Sequence, residues 1–268
     1  MLQFHWPDRY IPLFGAPHYL HELERQDATP IREQLEIIDE LIKSGKVRHF
    51  GLSNETPFGV TAFAETAKLL GLPRVSTTQN VFNLLERNDF ETGMIEACSP
   101  ANANIGLLAY SPLAGGALSG KYLDKKSASN ENSRMRQYIG YMYRYIAGPS
   151  AIAIKKYLEA ADVISVPLAP LALSWVYSRP FVTSTIIGAT NLKQLEENVL
   201  ALNLPIADEI KNLIDQVYQQ YRDPSKGTFE IVDPDQDYID PSKLPWGAKD
   251  QEVDPELDII INQRLSKF

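Results

Sequence analysis

FVTSTIIGATNLKQLEENV, from Phe181 to Val199, contains the change of periodicity that decides the fold. Val182 to Ile187 is a β-rich run between a proline and a glycine, and it reads as a buried parallel strand. Gly188 ends it. Asn191 then caps a helix whose third position is Gln194, a variant of the capping box, with Leu192, Leu195 and Val199 as the apolar stripe. A strand, a short glycine turn and a helix N-terminus together leave backbone N–H groups and the positive helix end where a phosphate can sit. Alone, this is an ordinary βα unit whose glycine relieves a tight turn. Its weight comes from recurrence.

Working back from it, the same alternation repeats along the chain. Leu2 to His5 reads as the end of a strand running into WPDRYIPLFG. Thr29-Pro30 opens a helix with Leu35, Ile38 and Leu41/Ile42 on one face, stopped at Ser44-Gly45. Val47 to Leu52 is the next strand, and Thr56-Pro57 starts a helix that turns Val60, Phe63, Ala67 and Leu70 inward and ends at Gly71. Val75 to Gln79 and Ile105 to Tyr110 are two further strands, separated by a helix from Asp89 to Cys98 with Met94, Ile95 and Cys98 inward. Ser111 to Pro149 is a long loop rich in glycine and tyrosine. Helices over 150–161 and 169–178 lead to the opening stretch. Asp208 to Tyr221 forms a last amphipathic helix with Ile210, Leu213, Ile214 and Val217 inward.

Five strands alternating with helices imply a parallel α/β sheet. A closed (β/α) barrel needs eight, so five leave two open edges and a half-covered interior. The expected organisation is a barrel-like unit over 1–221 and an Asp/Pro-rich extension over 222–268, with a short helix around Leu257 to Leu265. Asp233, Asp235 and Asp237 are spaced like the opening of a calcium loop. Tyr238 stands where the loop needs glycine and Leu244 where it needs glutamate, so a solvated acidic turn is expected.

Bulk composition narrows the function. The net charge of -8, from 26 basic and 34 acidic residues, disfavours a nucleic-acid binder. The one cysteine, Cys98, is expected to be a small core hydrophobe in a reducing compartment. No apolar run reaches the length of a membrane span, and MLQFHWPDRY has no signal-peptide pattern.

Polar residues fall repeatedly just after a strand: His5, Ser53-Asn54, Gln79-Asn80, Tyr110-Ser111 and Gly188-Ala189-Thr190. In parallel α/β folds these positions surround one ligand-binding face. In NIGLLAYSPLAGGALSGKY, Gly115, Gly116 and Gly120 permit close backbone approach to a pyrophosphate, Lys121 offers a charge and Tyr110 a ring for stacking. The segment is not a P-loop, and a flexible linker is its alternative reading.

The motifs LQFHWPDRY, GKVRHFGLSNETPFGV, TTQNVFNLLER, LLAYSPLAGGALSGKY and RPFVTSTIIGATNLKQLEENVLAL, running in this order from Leu2 to Leu202, resemble the aldo-keto reductases. The nearest branch is that of the potassium-channel β subunits and Tas-type bacterial oxidoreductases. The resemblance implies a (β/α)8 TIM barrel, here incomplete with strands four to eight, holding NADP(H) for hydride transfer to a small-molecule carbonyl substrate. It implies that Ser53, Asn54 and Gln79 hold the carboxamide and that Tyr110 stacks on the nicotinamide. Ser111, Pro112, Leu113, Gly115, Gly116 and Lys121 would line the pyrophosphate. Gly188, Thr190 and Gln194 would meet the 2′-phosphate end, and Glu197 with Asn198 the adenine. His5 matches the family's active-site histidine.

The family's other catalytic residues, an Asp, a proton-donating Tyr and a Lys, belong to earlier βα units, and the sequence is expected to start at the fourth strand without them. Neither Tyr10 nor Tyr143 has a partner Lys at a recognisable position. The expectation is therefore an impaired oxidoreductase, with a non-catalytic NADP(H)-binding or interaction module as the alternative. Association through open sheet edges is allowed. The expected location is cytoplasmic, with an organelle such as the plastid left open.

Overall fold

The computed structural model describes residues 1–12, 14, 16, 18–123, 135, 142–146 and 148–226. The acidic triplet at 233–237 and the short helix expected near 257–265 lie outside them.

Strands β1 (Leu2–Gln3), β2 (Phe50–Ser53), β3 (Thr77–Val81), β4 (Gly106–Tyr110) and β5 (Val182–Thr185) pair in parallel, each with its neighbour in the chain. Right-handed crossovers in an unreversed strand order place successive helices on one side of the sheet, as in a barrel wall; a doubly wound sheet reverses its order part-way. The burial pattern agrees. Along β3 and β4, Thr78, Asn80, Leu107 and Ala109 are buried, and the residues alternating with them are half-open.

Helices α1 (Ile31–Lys43) and α2 (Pro57–Leu70) close the buried side, where Leu35, Ile38, Val60 and Phe63 join Phe50 and Leu52 in the core. Thr56 caps α2 by accepting from Gly59 N, and Gly71 ends it at φ +65°, a left-handed conformation that costs glycine nothing. The expected helix over 89–98 is broken at Thr92 into α3 (Asn88–Glu91) and α4 (Gly93–Cys98). Cys98 is buried, and burial pushes its thiol up to about 12. The 111–149 stretch, read as a loop, contains 3-10 turns at Ala114–Ser119, Lys121–Leu123 and Tyr143–Tyr145.

Helices α5 (Gly148–Val163) and α6 (Leu168–Tyr177) follow, then α7 (Leu192–Leu200) and α8 (Asp208–Gln220). Among the described residues no single helix is long and apolar enough to cross a membrane; the α5–α6 pair bends by 90° and contributes core residues such as Tyr157 and Trp175.

Two expectations fail at β5. Val182 to Ile187 was expected to be buried, but the strand stops at Thr185 and Thr183 and Ser184 are exposed. The expected inward stripe of α7 faces solvent, with Leu192 at 77%, Leu195 at 43% and Val199 at 48% exposure. Both have one cause: β5 is an edge strand, with β4 on one side and no described βα unit on the other to cover the stripe. The buried residue of α7 is Asn198, which donates to Gly188 O at 3.2 Å while its own carbonyl accepts from the Tyr177 hydroxyl. Leu70, expected inward, is also exposed, because it lies at the last position of α2.

The turn NLLER, Asn83 to Arg87, fastens the later elements to the sheet. The Asn83 side chain accepts from Leu85 N and Glu86 N and donates to Ser111 O. Leu84 O accepts from Tyr157 of α5, and Leu85 O from Ser225. The Arg87 guanidinium lies between the rings of Trp175 and Tyr218, 4.7 and 4.2 Å from their centres, and pairs with Glu91 and Asp215 at 2.8 Å each. Its backbone N–H reaches Asp223.

Replacing Arg87 by Ala strands two acids and two aromatic faces. Because the two acids are part-open to water, Asp215 by 42% and Glu91 by 21%, removing their shared cation costs about 2 kcal/mol. Arg87→Ala is expected to lose that much in urea denaturation, and Arg87→Lys, which keeps the charge but not the planar fork, less.

Candidate cofactor site

The residues after the strands do converge. β2 ends in Ser53, whose hydroxyl donates to Gln79 O at 2.9 Å, and Gln79 Nε2 donates to Gln3 Oε1 at 2.9 Å. Gln3 in turn donates to Leu52 O. Asn54 is the junction. At φ +54° it adopts the left-handed conformation that Asn tolerates better than most residues. Its Nδ2 donates to His5 O at 2.9 Å, and its Oδ1 accepts from the Tyr110 hydroxyl at 2.8 Å. His5, Ser53, Asn54, Gln79 and Tyr110 thus form one hydrogen-bonded group across four strands, with His5 exposed and Gln79, expected to end its strand, in the middle of β3. Burial raises the Tyr110 pKa well above the usual phenol range, and Glu86 adds to it, so the hydroxyl stays a donor.

Beyond β4 the chain turns tightly. Ser111, Ala114, Gly115 and Gly116 all have positive φ, and Gly116 N and Leu118 N both donate to Leu113 O. Pro112 is buried within this turn. A Cβ on Gly115 would stand 2.6 Å from Met142 Sδ, so that position has no room for a side chain. Lys121 and Tyr122 fold back onto Gly116, with Lys121 Nζ 3.6 Å and Tyr122 Cε2 3.8 Å from where a Cβ would stand. The third group follows β5: Gln194 Oε1 accepts from both the N–H and the hydroxyl of Thr190, Asn191 caps α7 through Gln194 N, and Asn198 holds Gly188. Glu197 is paired with Lys193 at 3.9 Å. This group is built separately and packs with the glycine turn against α6.

Sequence reasoning passed over Gln3 and Glu86. The signal for Gln3 was its place two residues before His5, on the same strand face. Glu86 is a carboxylate set beside apolar leucines, and it lines a cleft of about 220 Å³ with Trp6, Phe14, Asn54 and Tyr110. It accepts a hydrogen bond from the Tyr145 hydroxyl and lies 3.8 Å from Arg144 Nε. Burial pushes its carboxyl above the ordinary value of 4.5; Arg144 and the Tyr145 hydrogen bond pull the other way and lose.

The Aldo/keto reductase family model matches residues 1–219. This chain belongs to the aldo/keto reductase family. It is 40% identical over 233 residues to a protein named aldo-keto reductase from Babesia bovis, covering 84% of this chain and 81% of that one. It is 34% identical to protein tas of Escherichia coli over 84% of this chain and 63% of that protein. A probable voltage-gated potassium channel subunit beta of Arabidopsis thaliana is 31% identical over 73% of this chain and 60% of its own length. The chain thus spans less than two thirds of these last two relatives. The branch suggested by the motifs is the one in which relatives are found.

A carboxyl whose folded-state pKa is raised contributes stability that is full below its unfolded value and is lost as pH rises through the folded value. Thermal denaturation of Glu86→Gln and of the unsubstituted protein is expected to diverge as pH rises above the ordinary carboxyl range, with the variant gaining relative stability. Divergence in the opposite sense would show that Glu86 is held ionised.

Proposed function

We propose that this chain binds NADP(H) across its strand ends and takes part in hydride transfer between the nicotinamide and a small aldehyde or ketone. The observation that carries the reading is the bonded group His5–Asn54–Tyr110 with Ser53 and Gln79, a polar rim of the kind that fixes a planar amide and a ring together. The fit to the cofactor rests on the chain's own features. Tyr110 presents a ring beside a cleft, and the turn through Gly115 and Gly116, both at positive φ, has Lys121 folded against it.

In this reading Ser53, Asn54 and Gln79 orient the carboxamide, and Tyr110 supports the ring face. Ser111 to Gly116 and Lys121 line the diphosphate; Gly188, Thr190 and Gln194 take the 2′-phosphate end, and Glu197 with Asn198 the adenine. Bound NADPH supplies the hydride for the carbonyl carbon. His5, exposed at the end of β1, donates an N–H to the carbonyl oxygen as negative charge builds there. Among the described residues no Asp–Tyr–Lys set is assigned to accompany His5, and a site without a positioned general acid reacts about 10² to 10⁴ more slowly. Slow turnover is therefore part of the proposal, as are the assignment of 222–268 to a C-terminal extension and self-association through the open edges at β1 and β5.

The similarity to a channel β subunit supports a second reading, a cofactor-binding module without turnover. Titration with NADPH and steady-state NADPH oxidation over an aldehyde panel separate the two. Binding that Tyr110→Ala weakens about tenfold, with slow turnover that His5→Ala lowers further, is expected. Binding without any turnover selects the module, and no affinity for NADPH or NADP sinks both.

A further inference from the structure

A buried ion pair outside the proposed cofactor contacts ties together the loops that bear them. Arg9 forks onto Glu55, Nη1 to Oε1 at 2.9 Å and Nη2 to Oε2 at 2.7 Å, and Nη2 also donates to Thr56 Oγ1 at 2.9 Å. The Glu55 side chain is 2% exposed and that of Arg9 23%. Glu55 Oε2 further accepts from Thr56 N, so both carboxylate oxygens are satisfied. The Glu55 carbonyl accepts from Asn80 Nδ2 at 2.9 Å, which brings in a third loop.

Gly59 makes the room. A Cβ there would stand 1.9 Å from Glu55 Oε2 and 2.5 Å from Arg9 Nη2, so any side chain displaces the pair. Gly59 lies in the first turn of α2, where glycine lowers helix propensity. A buried ion pair is likewise a poor source of net stability compared with apolar packing. Two locally unfavourable choices therefore meet at one contact, and what they secure is geometry. Arg9 lies four residues after His5, Glu55 follows Asn54, and Asn80 follows Gln79.

We propose that Arg9 and Glu55, with Gly59 as the space-maker, are positioning residues that set the separation of the His5 loop from Asn54 and Gln79. The inference rests on the cofactor reading given above. Neither side chain is among the proposed cofactor contacts; in this inference both act through the loops they join. The bidentate fork suits this task, because it fixes orientation as well as distance, which a lysine cannot do.

The test uses the full chain and three variants, Arg9→Lys, Glu55→Gln and Gly59→Ala, with Ile214→Val as a control that thins the core under α8, away from these loops. NADPH affinity, thermal midpoint, and the NMR signals of the His5 ring and Asn54 side-chain amide are measured for each. The three variants are expected to shift both NMR signals and to weaken NADPH binding about tenfold, as misplacement in an oriented site does. Ile214→Val is expected to lower the midpoint and leave signals and affinity unchanged. Unmoved His5 and Asn54 signals in folded Arg9→Lys overturn the inference, as does an equal loss of affinity in the control. If the unsubstituted chain has no NADPH affinity, the cofactor reading falls and the NMR comparison still decides whether the pair positions the loops.

Discussion

The five residues from Asn83 to Arg87 hold the two halves of this structure together. They leave the end of β3, where a parallel strand must give way to its crossover, and nearly every polar group in the turn is answered by a different element. Asn83 closes the turn on itself and reaches the start of the glycine loop; the leucine carbonyls accept from α5 and from Ser225; Glu86 receives Tyr145; Arg87 collects α8 and the aromatic face of α6. The sheet alone would not specify where α5 to α8 lie. These bonds do.

Because the turn reaches Ser111 directly, the loop expected to cradle a diphosphate is fixed from below by a side chain on the neighbouring strand's exit. A similar economy operates on the other side of the site. Asn54 serves His5 and Tyr110 at once, so the orientation of the histidine loop and that of the tyrosine ring are linked by a single amide. The rim is consequently rigid on the β1–β4 side, while the group after β5 is self-contained, with Thr190, Gln194 and Asn198 bonded among their own neighbours.

The open side of the molecule begins at β5. Leu192, Leu195 and Val199 form a helical stripe that the sequence pattern marks as inward, and they stand in solvent because nothing described lies beyond the edge strand. The half-open residues of β3 and β4 lie on the opposite face of the sheet, the one the described helices do not cover. Hydrophobic periodicity identifies which face of an element is meant to be covered; it is silent on whether a neighbour is there to cover it.

The amino-acid sequence by itself determined the βα alternation, the caps at Thr56 and Asn191, the stop at Gly71 and the family, since these depend on local spacing and on motifs that survive in linear order. It also gathered the candidate site residues toward one edge of the sheet, because parallel pairing follows from the crossovers, although Gln79 falls in the middle of β3 rather than at its end. Only the tertiary structure decided the break at Thr92, the exposure of the α7 stripe and the roles of Gln3, Arg9, Glu55 and Glu86. The physical reason is common to all four residues: each acts through a partner tens of positions away, Gln79, Glu55, Arg9 and Tyr145 respectively, and long-range contacts leave no periodic trace in the chain.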